Sequence, residues 1–240
     1  MKKALLVAVL GAVVGGSSFG QIIGQWNFES PFAVSNTGVS PLPSGGSLSA
    51  DIGSGTASAL HATAGTAWSN PAGNGTSQSL SSNNWTLGDY YQFQVSTVGL
   101  SGIFLAWSQT GSNTGPKGFT LQYSTDGTTF TDFTTYTLTN GAWTGPSSYK
   151  TANLYTYDLS AVTALNNAAT AYFRLMDNST VAINSANPVA TTGSGRVDQF
   201  TVSQGFVDIT ITPVPEPGTV ALVGLGLGVV LFGVRRRRLA

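Results

Sequence analysis

The chain has 240 residues, no cysteine, one histidine and only 8% charged side chains, and its ten basic and ten acidic residues cancel to a formal charge of zero. The lack of cysteine excludes disulfide staples, thiolate metal sites and thiol nucleophiles. Six of the basic residues are Lys2, Lys3 and Arg235 to Arg238, so the body between them holds four basic against nine acidic residues, a balance of −5 that disfavours nucleic acid and anionic lipid as its partners.

The N-terminus has the three parts of a secretory signal peptide over residues 1–20. Lys2 and Lys3 form a positive start and Ala4 to Val14 an apolar stretch. Small residues then lead to Ser18 and Gly20, at the −3 and −1 positions of a cleavage before Gln21. Residues 21–212 are expected to form one all-β domain. Asp89 to Val95 reads DYYQFQV and places Tyr91, Phe93 and Val95 on one face. Ile103 to Trp107 is continuously apolar, as in a strand covered on both faces. Phe119 to Tyr123, Tyr172 to Met176 and Val207 to Ile211 alternate as strands do. Ser35 to Asn83 is rich in glycine and serine and is expected to be long loops around a few short strands. In YSTDGTTF, Tyr123 to Phe130, the Asp126-Gly127 pair predicts a hairpin, because both residues accept positive φ. Ser160 to Ala169 predicts at most one helical turn, capped by Asp158 or Ser160. Many short strands with polar turns and no internal repeat predict an antiparallel β-sandwich. With so few charges, its solubility rests on Ser, Thr, Asn, Gln and Gly, which could also carry O-linked sugar.

Residues 213–240 have a different character. Val214-Pro215-Glu216-Pro217 precedes an uncharged segment, Gly218 to Val234, and then Arg235, Arg236, Arg237 and Arg238. A helix of those 17 residues covers roughly 25 Å, at the short end of what crosses a hydrocarbon core. Only a helix would satisfy its backbone there. The arginines act as a stop and favour the cytoplasmic side, which leaves the body outside the inner membrane. Gly224 and Gly228 stand at GxxxG spacing, a weak signal for helix pairing. The two prolines fix φ and withhold amide donors, so the motif stays extended and open to an enzyme.

In this order of parts, Val214 to Ala240 resembles the PEP-CTERM sorting signal of bacterial envelope and exported proteins. The resemblance implies that Pro215, Glu216 and Pro217 are recognised by an exosortase, a membrane-embedded cysteine transpeptidase-like enzyme. It also implies a setting rich in extracellular polysaccharide. Tyr123 to Phe130 resembles a strand-turn-strand of galactose-binding-like jelly rolls. Gly195 to Val202, GRVDQFTV, resembles a closing strand found in PEP-CTERM proteins of this kind. These two likenesses favour a jelly roll and transfer no binding residues.

For chemistry in the body the candidates are few. His61 is the lone histidine and no nucleophile-elbow motif accompanies it, so an exposed or hydrogen-bonded structural role is expected. One histidine without cysteine cannot make a zinc site. Glu29, Asp89, Asp126, Asp132, Asp158, Asp177, Asp198 and Asp208 could serve a glycoside hydrolase, but no spacing marks an acid–base pair and turn chemistry explains most of them. A structural calcium ion on Asp177, Asn178, Ser179 and Asp198 is compatible with loop oxygens, although no calcium-loop pattern is present. Trp26 and Trp107 are expected in the core. Trp68, Trp85 and Trp143 lie in polar contexts and are candidates for stacking on sugar rings or for packing over a sheet edge. The expectation is a non-enzymatic protein without cofactor, exported through the Sec translocon and cut by signal peptidase. It is then held in membrane lipid, processed by an exosortase-type enzyme, and placed in the envelope, at the surface or in the matrix beside extracellular polysaccharide. A carbohydrate-binding module is the alternative, and a surface glycoside hydrolase the third.

Overall fold

The computed structural model describes residues 20–29, 37–42, 46–185 and 187–209. The signal segment before Gly20, and the sorting motif, apolar segment and arginines after Ile209, lie outside the described residues. Among the described residues no helix is long and apolar enough to cross a membrane.

Strands form where apolar side chains alternate with polar ones. They are β1 Gln21–Trp26, β2 Leu48–Ser49, β3 Ile52–Gly53, β4 Thr56–Leu60, β5 Trp68–Ser69, β6 Leu80–Ser82 and β7 Tyr90–Val95. They continue with β8 Ile103–Gly111, β9 Gly118–Ser124, β10 Thr131–Thr137, β11 Leu154–Asp158, β12 Ala171–Asp177 and β13 Gly195–Gln204. Hydrogen bonding sorts them into two antiparallel sheets. Sheet one runs β11-β8-β13-β1-β3, with β5 and β6 joined to it through β13; sheet two runs β10-β9-β12-β7-β4-β2. The chain passes repeatedly from one sheet to the other, giving the antiparallel sandwich that the alternation predicts, jelly-roll-like as the two family likenesses imply.

The core lies between the sheets. In β7, Tyr91, Phe93 and Val95 point inward and are at most 2% exposed, while Tyr90, Gln92 and Gln94 face out. Phe93 of sheet two stacks on Phe200 of sheet one at 3.7 Å between centroids, and Trp26 meets Phe93 edge-on at 5.2 Å. Trp26 and Trp107 are both fully buried, as expected of tryptophans in apolar strands.

Strand β13 organises sheet one. One side pairs with β8 along most of its length; the other is shared by β6, against Gly195 to Val197, and β1, against Phe200 to Gln204. The division falls at a bulge between Asp198 and Thr201, where Gln199 has φ of +52°. The extra residue turns Phe200 inward, where uninterrupted alternation would face it outward. The outer face of sheet one is covered too: Ala106, Ser108, Thr110 and Thr201 are all under 8% exposed. Asn74 bridges that face to the 140–153 loop, donating to Ser108 Oγ at 2.9 Å and to the Lys150 carbonyl at 3.1 Å. This cover explains the continuous apolar run in β8.

Three local expectations are modified. The Asp126-Gly127 turn does join two strands, but only Gly127 has positive φ (+73°), and the last paired residues, Tyr123 and Thr131, leave a longer loop. Asp126 Oδ1 organises that loop by accepting the amides of Thr128 and Thr129, each at 2.8 Å. The segment after β11 holds one 3-10 turn, Thr163–Leu165, with no side-chain cap. Residues Val207 to Ile209 are not a strand, because no neighbouring strand pairs with them, and residues 210 and 211 lie outside the described part.

Candidate functional site

The outer face of sheet two is the site candidate. Register places Asp132, Gln122, Arg174, Gln92 and Ser58 side by side across five strands, from β10 to β4. Four strand spacings make this row about 19 Å long. Gln122 Nε2 donates to Asp132 Oδ1 at 2.7 Å, Arg174 Nε to Gln92 Oε1 at 2.8 Å, and Gln92 Nε2 to Ser58 Oγ at a long 3.5 Å. The neighbouring row holds Met176, Tyr90 and Leu60, the last 45% exposed.

Arg174 is the centre of the face. Its guanidinium lies 3.9 Å from the Tyr90 ring centroid and 3.5 Å from that of Phe130, and Nη2 donates to Tyr90 Oη at 3.2 Å. Burial lowers its pKa, but a guanidinium keeps its charge at any working pH. Phe130 reaches it from the β9–β10 turn. The Tyr172 ring covers that turn so closely that a Cβ on Gly127 would come within 2.9 Å of it. Amide, guanidinium and carboxylate groups thus sit at fixed spacing among half-buried aromatic rings. Such a surface can exchange hydrogen bonds with an array of hydroxyls and pack against their carbon faces. It holds no acid–base pair in a cleft.

A second cluster has the order of a nucleophile relay. Ser82 Oγ lies 3.4 Å from His61 Nε2, and His61 Nδ1 lies 3.4 Å from Asp89 Oδ2. It is sealed: His61, Ser82 and Asp89 are 1–2% exposed, and Trp68 and Trp85 flank the imidazole at 4.7 and 4.3 Å. Burial pushes the His61 pKa down to about 3, so the ring is neutral. Tyr91 Oη lies 2.9 Å from Ser82 Oγ and donates to the Gly195 carbonyl at 2.9 Å. Asp89 accepts the Ala62 and Thr86 amides. No substrate reaches this serine, and the cluster ties β4, β6 and β7 together. This is the hydrogen-bonded alternative for His61; the exposed one is excluded.

The sugar-stacking candidates are placed elsewhere. Trp68, Trp85 and Trp143 are 3%, 5% and 5% exposed, and each indole N–H donates inside the protein: to the Gly38 carbonyl, the Ser82 carbonyl and Asn153 Oδ1. Trp68 and Trp85 belong to the hydrophobic core, Trp85 edge-on to Tyr91 and Phe119, and Trp143 is buried beside Asn153, so none offers an open ring face. Trp85 adds only its small exposed part to a cavity of about 260 Å³ shared with Leu87, Pro188 and Val189. The proposed calcium ligands do not converge. Asp177 ends β12 in sheet two, whereas Asp198 lies in sheet one with its oxygens filled by the amides of Asn74 (2.8 Å) and Gln199 (2.7 Å) and by Thr76 Oγ1. Among the described residues no group of three or more histidine or acidic side chains could hold a metal. Asp89 and Asp177 are neighbours, but at 2% and 1% exposure they do not form a hydrolase cleft.

No curated protein sequence matches the chain. Among solved structures, the sandwich is similar to the K2 cleaved adhesin domain of Lys-gingipain, at 17% identity over 75% of this chain and 97% of that one, with a TM-score of 0.38. It is also similar to a xylan-binding domain from CBM 22, at 12% identity over 78% and 98%, with a TM-score of 0.43. The enzymatically active domain of bacteriophage CBA120 tailspike protein 4 is similar at 14% identity over 71% of this chain and 21% of that one, with a TM-score of 0.32. None of these scores reaches 0.5, and none bears on what this chain binds. The tail is different, because there the match is to the sequence itself: residues 213–238 are a PEP-CTERM protein-sorting motif, carried behind an all-β antiparallel sandwich.

Proposed function

We propose that this chain is an exported, non-enzymatic protein of the envelope or extracellular matrix, structural or adhesive in role and in contact with extracellular polysaccharide. The sorting motif at residues 213–238 carries the reading. The Sec translocon and signal peptidase deliver the body. Residues 218–234 hold it in membrane lipid with Arg235 to Arg238 on the inner side, and an exosortase-type enzyme acts at Val214 to Pro217. Replacing Pro215, Glu216 and Pro217 together with alanine is expected to abolish maturation and leave the full-length tail in the inner membrane. The check is the intact mass of the membrane-bound and released chains. A released chain that ends at the same residue as that of the unaltered protein would reduce the motif to a hinge.

A second reading, a carbohydrate-binding module, is favoured by the polar row on sheet two. An uncharged polysaccharide suits it better than an acidic one, given the body's balance of −5. Arg174→Ala removes a charged hydrogen-bond donor, a contribution of about 1.5–3 kcal/mol, so binding is expected to weaken about tenfold or more. Affinity electrophoresis in gels containing the polysaccharide measures this, with Gln92→Ala as an independent variant. Binding undiminished in both variants would remove the face from consideration, and a chain that binds no polysaccharide at all would leave the structural role alone.

A further inference from the structure

Two cavities meet at the end of the sandwich where β9 begins and β12 ends, one row beyond Met176 and Tyr90. The first is a polar groove of about 740 Å³, lined by Lys117, Gly118, Thr135, Thr137 and Asn178 among others. The second is the pit of about 260 Å³ beside Leu87, Pro188 and Val189. Ser179 lines both, so the short segment after β12 is their common wall. No acidic side chain lines either one. The groove is continuous with the Arg174 row: Gly118 stands four residues from Gln122 along β9, about 13 Å away, with Thr120 between them.

The walls of both cavities are fixed in advance. In the pit, Thr86 N and Oγ1 donate to the buried carboxyl of Asp89, Ser179 N donates to that of Asp177, and Val189 N donates to the Thr180 carbonyl. In the groove, the Asn178 side chain lies so close over Gly118 that a Cβ there would come within 2.4 Å of its Oδ1. Asn178 Nδ2 donates to Thr120 Oγ1 at 2.8 Å. Lys117 Nζ donates to Ser185 Oγ at 2.5 Å, which uses one of the three ammonium hydrogens. A ligand is spared the cost of ordering these groups.

The two volumes select different chemical groups. Sites that enclose a whole small molecule run to about 300–1,000 Å³. The groove falls inside that range and suits a sugar ring, whose hydroxyls meet Thr135, Thr137, Asn178 and the Lys117 ammonium. The pit falls below it and takes one small apolar group. An acetyl substituent meets both demands. Its methyl fits against Leu87, Pro188 and Val189, and its carbonyl oxygen comes to the shared wall, where Ser179 Oγ can donate. We propose that this corner is a subsite for an acetylated sugar, and that the chain prefers an uncharged polysaccharide carrying acetyl groups. The proposal rests on the carbohydrate-binding reading of sheet two and names its substrate class.

The test is affinity electrophoresis of the full-length chain in neutral detergent. Gels contain acetylated glucomannan, xylan or galactan, each set against the same polymer after mild alkaline deacetylation. The acetylated form of a bound polymer is expected to hold the chain about fivefold more tightly, the value of one methyl group taken out of water. Leu87→Ser and, independently, Val189→Ser are expected to bring the acetylated form down to the affinity of the deacetylated one. Leu87 is 58% exposed, so its replacement leaves the core intact. Arg174→Ala is expected to weaken both forms alike. A preference that survives Leu87→Ser and Val189→Ser overturns the proposal. So does a dimer in sedimentation velocity that Leu87→Ser dissociates, since the pit then belongs to a second copy of the chain. Equal retardation by both forms, still weakened by Arg174→Ala, overturns the acetyl subsite alone. No retardation by any polymer in either form overturns the carbohydrate-binding reading with it.

Discussion

Phe93→Ala is expected to cost the fold about 3–5 kcal/mol, the usual range for removing a fully buried phenyl ring and leaving a cavity behind. Phe93 joins the layers: it comes from sheet two, stacks on Phe200 at 3.7 Å and receives the edge of Trp26 at 5.2 Å, both from sheet one. Its loss removes two aromatic contacts, worth about 0.5–1.5 kcal/mol each beyond buried area. Against a total stability of about 5–15 kcal/mol for a typical domain, one substitution takes away a large fraction. Urea unfolding followed by tryptophan fluorescence measures it. Phe93→Leu fills most of the volume and is expected to cost clearly less. A cost below about 1 kcal/mol for Phe93→Ala, far under the core range, would mean that the sheets do not close on this ring.

Asp177→Asn is expected to stabilise the protein at pH 7–8 by about 2–4 kcal/mol, since each unit of pKa shift corresponds to about 1.4 kcal/mol. Asp177 is 1% exposed, and Oδ1 accepts the Ser179 amide while Oδ2 is buried without a hydrogen-bond partner. Burial, with the nearby Asp89 charge, pushes its pKa up to about 7. Between pH 4 and 7 the unfolded chain has released this proton and the native one keeps it, so the native state binds more protons and stability falls as pH rises. Asp198, also raised to about 7 by burial, acts in the same direction. His61 acts in the opposite one: with its pKa lowered to about 3, the unfolded chain takes up a proton below pH 6.5 that the native imidazole refuses. The advantage of Asp177→Asn over the unaltered protein should therefore fade as pH falls from 7 toward 4. His61→Gln should gain relative stability over the same interval. Urea midpoints at pH 4.5, 6 and 8 for the three proteins decide the matter, and a pH-independent difference for Asp177→Asn would show that this carboxyl is not held neutral.

Much of the fold was legible because burial on one face of a strand writes a period of two into the chain. Tyr91, Phe93 and Val95 and the β9 and β12 stretches were found by that period, whereas the closing strand from Gly195 came from a family resemblance. The period failed at two places for local reasons. At Gln199 a bulge inserts a residue and reverses which side Phe200 faces, and a sequence period cannot show an insertion made to fit a neighbouring strand. At Val207 to Ile209 the alternation is present but no strand pairs with it.

The candidate site was half visible. Gln92 and Arg174 each lie on the polar side of an alternating strand, so their outward direction could be read from β7 and β12 separately. That they form one row with Gln122, Asp132 and Ser58 follows from register between five strands, which neighbouring residues do not encode. The tryptophans mislead for a related reason. Trp68, Trp85 and Trp143 have polar neighbours along the chain, yet loops from distant positions close over them, and their indole N–H groups find partners inside.

What the chain determined by itself was local and linear: the sandwich class, from period-two burial, and the sorting motif, from an ordered run of prolines, apolar residues and arginines that needs no partner elsewhere. What only the tertiary structure decided was which distant residues meet. The Arg174 row and the sealed His61 cluster each arise from pairing between strands far apart in sequence, where the energy depends on the contact and leaves no periodic mark on either segment.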